Sequence, residues 1–72
     1  MERAKILRQF GQRVTELREE KGITIEGLAA AADLDYLQVV EIEEGKINVL
    51  FTTIVALAEA LGINPEDLLD TL

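Results

Sequence analysis

Apolar residues in this chain recur every three or four positions, and no segment alternates with period two for long. That spacing is helical, so the chain is predicted to be all-α. Ile6, Leu7, Phe10, Val14 and Leu17 mark one face of a first helix over about Arg3–Glu20, which should stop at Gly22. Gly11 lies inside it, where glycine costs about 1 kcal/mol relative to alanine. Close helix packing is one use for such a glycine, and the sequence alone leaves that open.

Thr24 can cap a second helix with Leu28, Ala29 and Ala32 inward. Asp35 can cap a third, Tyr36–Glu44, which Gly45 ends. A loop, Lys46–Leu50, leads to a fourth helix over Phe51–Leu61. Phe51, Ile54, Val55, Ala58 and Leu61 are its expected core residues, and Gly62 its stop. Asn64-Pro65-Glu66-Asp67 is a strong helix start, with a cap, a proline at the first turn and two acids at the positive helix end. Leu68, Leu69 and Leu72 should then point inward. Five short helices with brief connections make one all-α domain, residues 1–72. A domain of this length buries only about 60% of the surface its unfolded chain exposes.

The sequence contains no Cys, His or Ser. Disulfides, zinc knuckles and Ser-His or Cys-His triads are excluded, and a reducing cytoplasmic compartment is the expected location. Carboxylates, Lys, Thr and Tyr36 are a poor catalytic kit, so no enzyme, catalytic residue or cofactor is expected. Asp33, Asp35, Glu41 and Glu44 have the spacing of four calcium ligands in an EF-hand loop. Leu37 takes a ligand position there, and Gln38 stands where the loop needs glycine, so no metal site is expected. The N-terminus carries Glu2, Arg3 and Lys5 without an apolar run, unlike a secretory signal. Val49–Ile63 is too short and too polar to span a bilayer, and no membrane partner is expected.

The net charge of −7 is unevenly spread. Residues 1–21 carry Arg3, Lys5, Arg8, Arg13, Arg18 and Lys21 against Glu2, Glu16, Glu19 and Glu20. Residues 22–72 carry Lys46 alone against ten acids. A nucleic-acid-binding face normally has the opposite balance.

From Phe10 to Leu69 the chain resembles the lambda-repressor/Cro-like helix-turn-helix family of xenobiotic-response-element-type transcriptional regulators. Phe10-Gly11-Gln12-Arg13-Val14 and Leu17-Arg18-Glu19-Glu20-Lys21-Gly22 carry the likeness in the first helix. Leu28-Ala29 and Ala32 continue it, followed by Ile42-Glu43, Gly45-Lys46 and Leu57-Ala58-Glu59-Ala60-Leu61-Gly62-Ile63. The resemblance implies a compact five-helix fold whose second and third helices form the helix-turn-helix, the third lying in the major groove. It also implies DNA-facing positions at Ile25, Tyr36, Leu37, Gln38, Val40, Glu41 and Glu44, with Lys46, Ile47 and Leu50 near phosphates. The family usually has Gln, Ser, Thr, Asn, Arg or Lys at most of these, and this chain departs at nearly all.

Helix geometry alone singles out the same face. At about 100° per residue, Val39 and Ile42 share the core side of the third helix, and Leu37 points about 170–190° from their midpoint. Val40 lies about 130° away. Buried against a partner, each could contribute roughly 1.5–3 kcal/mol. Glu41, Glu43 and Glu44 together would repel phosphate, and the bases of the first helix would pair with neighbouring Glu four residues away. Leu50 stands where the fourth helix should have a polar cap, so that cap is lost or moved to Asn48.

The expectation that follows is a protein-binding module, as would result from engineering a binder on a helix-turn-helix scaffold. Tyr36, Leu37 and Val40 would be its anchors, extended by Ile25, Ile47 and Leu50 and rimmed by Gln38, Glu41 and Glu44. Its protein partner would present an apolar groove beside Lys, Arg or His. The alternative is a transcriptional regulator that binds DNA as a dimer, with Leu68, Leu69 and Leu72 as dimer contacts. A symmetric homodimer through the apolar stripe is a third reading, weakened by the facing Glu41 and Glu44.

Overall fold

The computed structural model describes residues 2–70 and 72. Among them are five helices, α1 (Arg3–Glu20), α2 (Ile25–Ala32), α3 (Tyr36–Glu43), α4 (Phe51–Leu61) and α5 (Pro65–Leu68). The fold is all-α, as the spacing predicts. No helix of the described residues is long and apolar enough to cross a membrane.

One core unites the helices. Phe10, Val14 and Leu17 of α1 meet Leu28, Ala29 and Ala32 of α2, Val39 and Ile42 of α3, Leu57, Ala58 and Leu61 of α4, and Leu68 of α5. α3 packs on both α1 and α2, while α4 packs on α2 and α5. The α1–α3 contact is backbone against backbone. A Cβ at Gly11 would lie 2.3 Å from the Ile42 carbonyl oxygen and 2.5 Å from that of Glu43. This is the close packing for which an interior glycine is suited.

Local signals act unevenly at the helix ends. The Thr24 hydroxyl accepts from the Gly27 N–H at 2.9 Å and caps α2. Asp33 closes α2 in the left-handed conformation, with φ 58°. The expected side-chain caps at Asp35 and Asn64 are not formed. Burial of Val39 and Ile42 holds α3 instead, and Pro65 presets the first turn of α5. Leu50 occupies the N-cap position of α4 without a side-chain bond, so that cap is lost rather than moved.

Two expected core residues are outside. Phe51 is 69% exposed, while Leu57, outside the expected set, is fully buried. Phe51 points the same way as the buried Ala58, seven residues on, but it is the first residue of α4, where that face is open to solvent. Leu72 is also exposed, beyond the end of α5 at Leu68, whereas Leu69 still packs against the core. Ile54 and Val55 are half-buried.

Candidate functional site

α2 and α3 are joined by Asp33, Leu34 and Asp35. The Leu34 N–H donates to Ala29 O at 2.8 Å, and the Leu34 side chain packs against the core. The short turn therefore sets α3 firmly against α2. Because Val39 and Ile42 are buried, the opposite side of α3 faces out. Leu37, its second residue, is 63% exposed, and Tyr36 beside it is 54% exposed.

The predicted site residues are not all on that outer face. Tyr36, Leu37, Glu44, Lys46 and Leu50 are exposed; Gln38, Val40 and Glu41 are half-buried. Ile25 and Ile47 are half-buried and packed against the core. Ile25, the first residue of α2, turns toward the core, while Glu26 and Gly27 beside it are exposed. Val40, next to the buried Val39, is half-buried on the flank of α3. A continuous apolar patch of six residues is therefore not present.

The acidic character of α3 is also less than its composition suggests. Glu43 turns away from the outer face toward α1. Arg18 Nε donates to Glu43 Oε2 at 2.7 Å and Arg18 Nη2 to Oε1 at 3.2 Å. The Thr15 hydroxyl donates to the same Oε1 at 2.9 Å, and Arg18 Nη1 donates to Ile23 O at 2.9 Å. Only 12% of the Arg18 side chain and 9% of the Glu43 side chain are exposed. The hydrogen bond to Glu43 raises the Arg18 pKa, against the opposing effect of burial. Glu43 is thus a positioning residue that ties the end of α3 to α1, and its charge is matched. Glu44 has its own partner, Lys46 Nζ, at 3.1 Å.

Sequence reasoning missed this tie. The signal was available, because Glu43 follows the core residue Val39 by four positions and so shares its face. The expected pairing of α1 bases with neighbouring Glu does not occur among the described residues. Arg18, the α1 base that forms an ion pair among them, reaches across to α3. Arg3, Lys5 and Arg8 are exposed. Gly45, at φ 72°, brings Arg8 to the end of α3: a Cβ there would lie 2.8 Å from Arg8 Cα. Arg8 therefore lies beside the turn that leads into the loop of Lys46.

The helix-turn-helix family profile matches residues 14–68. The control protein C.BamHI of Bacillus amyloliquefaciens is 40% identical over 62 residues, which are 85% of this chain and 76% of that protein. The HTH-type transcriptional regulator DdrOP3 of Deinococcus deserti is 34% identical over 59 residues, 82% of this chain and 46% of its own length. The crystal structure of the restriction-modification controller protein C.AhdI from Aeromonas hydrophila matches with a TM-score of 0.85 and 45% identity. That match covers 86% of this chain and 94% of the other. These likenesses overturn the expected protein-binding module on an engineered scaffold, together with its partner bearing an apolar groove. The relatives are named as controllers and regulators. The geometry removes the physical basis as well, because the apolar patch is broken and Glu43 is turned inward.

Proposed function

The chain belongs to the lambda-repressor/Cro-like helix-turn-helix family, and from that premise we propose that it is a sequence-specific DNA-binding transcriptional regulator of the controller type. One observation carries the reading. α3 follows α2 through a short turn, buries Val39 and Ile42, and leaves Leu37 free in its first turn. In a helix-turn-helix the N-terminal residues of the second helix contact base edges. Tyr36, Leu37, Gln38, Glu41 and Glu44 are then base-facing, with Val40 and Ile25 supporting at the flank. Lys46, Ile47 and Leu50 lie toward the phosphates, joined by Arg8.

Electrostatics sets the terms of binding. Affinity for duplex DNA comes largely from cations that neutralise phosphates. α3 holds no Lys or Arg, so this role falls to Lys46 and to the exposed bases of α1. The pairing of Glu43 with Arg18 lowers the repulsion that Glu41, Glu43 and Glu44 together would otherwise create.

The protein acts as a dimer on paired half-sites in this reading. Leu68, one of the three leucines expected at a dimer contact, is fully buried in its own core. Leu69 is half-buried and packs against the same core, so of the three only Leu72 is exposed to a second copy.

Fluorescence polarisation with labelled, randomised duplexes at low salt tests the proposal. Saturable binding that weakens as salt rises is the expected result. No binding at low salt would overturn it.

A further inference from the structure

We propose that Leu37 is a specificity-determining residue that reads the 5-methyl group of thymine in the major groove. The inference rests on the DNA-binding reading above and names the base feature that its reading helix recognises.

Leu37 is the second residue of α3, within the turn that meets base edges in a helix-turn-helix. It is 63% exposed, on the side of α3 opposite Val39 and Ile42, so its own domain leaves it largely uncovered. The edges that bases present in the major groove are mostly polar: N7 and O6 of guanine, N7 and the amino group of adenine, the amino group of cytosine, O4 of thymine. The single apolar feature is the thymine methyl. A leucine set against any other edge takes a donor or acceptor out of water and returns no hydrogen bond, which is unfavourable. The apolar residue that looked foreign to a DNA-reading face is therefore suited to one base.

The neighbouring side chains agree. α3 has no Arg or Lys, the residues that read guanine through O6 and N7. Gln38 is half-buried, and its amide makes no hydrogen bond among the described residues; an amide of this kind reads adenine. Glu41 stands one turn beyond Leu37, with a carboxylate that can only accept and so favours the amino group of cytosine. Leu37 supplies the methyl contact within this pattern, and Tyr36 lies beside it.

The test removes only the methyl group. A duplex is selected from a randomised pool with the wild-type protein, and each thymine is then replaced singly by uracil. Binding is measured for the wild type and for Leu37→Ala. At one or two thymines per half-site, uracil should weaken wild-type binding about fourfold, the equivalent of about 0.8 kcal/mol for one buried methyl-sized group. Leu37→Ala should bind the thymine and uracil duplexes alike, with unchanged helical circular dichroism and unchanged salt dependence. A wild type indifferent to uracil throughout the selected site overturns this inference and leaves the DNA-binding reading in place. So does a Leu37→Ala variant that keeps the full uracil penalty. Failure to enrich any duplex at low salt overturns the DNA-binding reading, and this inference with it.

Discussion

Gly11 and Ile42 approach so closely that a β-carbon on the first would lie 2.3 Å from the carbonyl oxygen of the second. The obstacle is backbone, which cannot rotate away as a side chain can. Gly11→Ala gains about 1 kcal/mol of helix propensity. It must also part α1 from α3, an overpacking cost at or above the upper end of about 1–3 kcal/mol. A net loss of about 2 kcal/mol is expected in urea unfolding. Because α3 is the displaced element, DNA affinity should fall even at temperatures where the variant is fully folded.

The Arg18–Glu43 pair gives a second prediction. Glu43→Ala leaves a largely buried guanidinium with only the Ile23 carbonyl, and a loss of about 3 kcal/mol is expected by chemical denaturation. The double variant Arg18→Met/Glu43→Leu removes both charges and should recover most of that loss. The sign of the pH dependence also follows. The native pKa of Arg18 is raised, so its contribution is complete below the unfolded value and is lost only as pH rises through the native one. Both values lie far into the alkaline range, so Arg18 should add no slope to stability between about pH 6 and 9.

These two contacts mark the limit of what was legible in the sequence. Helix ends were readable because Gly22, Gly45 and Gly62 all adopt positive φ, a local requirement that a local residue choice reveals. The buried faces of α1 and α2 were readable from periodicity. Gly11 could be seen as an exception, but its reason is a carbonyl on another helix. Glu43 lay on the buried face by spacing, but its partners are 25 and 28 residues away, on α1. Phe51 had the right direction and the wrong height along α4. At the candidate site, periodicity placed Leu37 outside correctly. The inward packing of Ile25 and Ile47 depends on neighbouring elements, which no single helix records.

Phosphate contacts should appear in the salt dependence. Arg8 sits against Gly45 beside the loop of Lys46, and both side chains are exposed. If each neutralises one phosphate per protomer, Arg8→Gln/Lys46→Gln should reduce the slope of log K against log salt by about 3.6 for a dimer. Affinity should fall by a similar factor on every duplex sequence, because phosphates carry no sequence information. Thermal stability should hardly change, since the Lys46–Glu44 pair is exposed and worth little. A salt titration on the selected duplex and on an unrelated one checks both statements.

Glu41 should act on sequence choice in the opposite manner. Its carboxylate accepts hydrogen bonds and cannot donate, so it favours the cytosine amino group and repels the acceptor edge of guanine. Glu41→Gln keeps the size of the side chain and adds a donor. It also removes a negative charge from α3, where Glu41 is half-buried with no ion-pair partner among the described residues. Two changes are expected together. Affinity for unrelated duplexes should rise, because repulsion from phosphates falls. At one position per half-site the preference for cytosine should relax toward adenine, a shift of about 1–3 kcal/mol in discrimination. Repeating the duplex selection with the variant measures both. A general gain in affinity with an unaltered consensus would mean that Glu41 approaches the backbone and not a base edge.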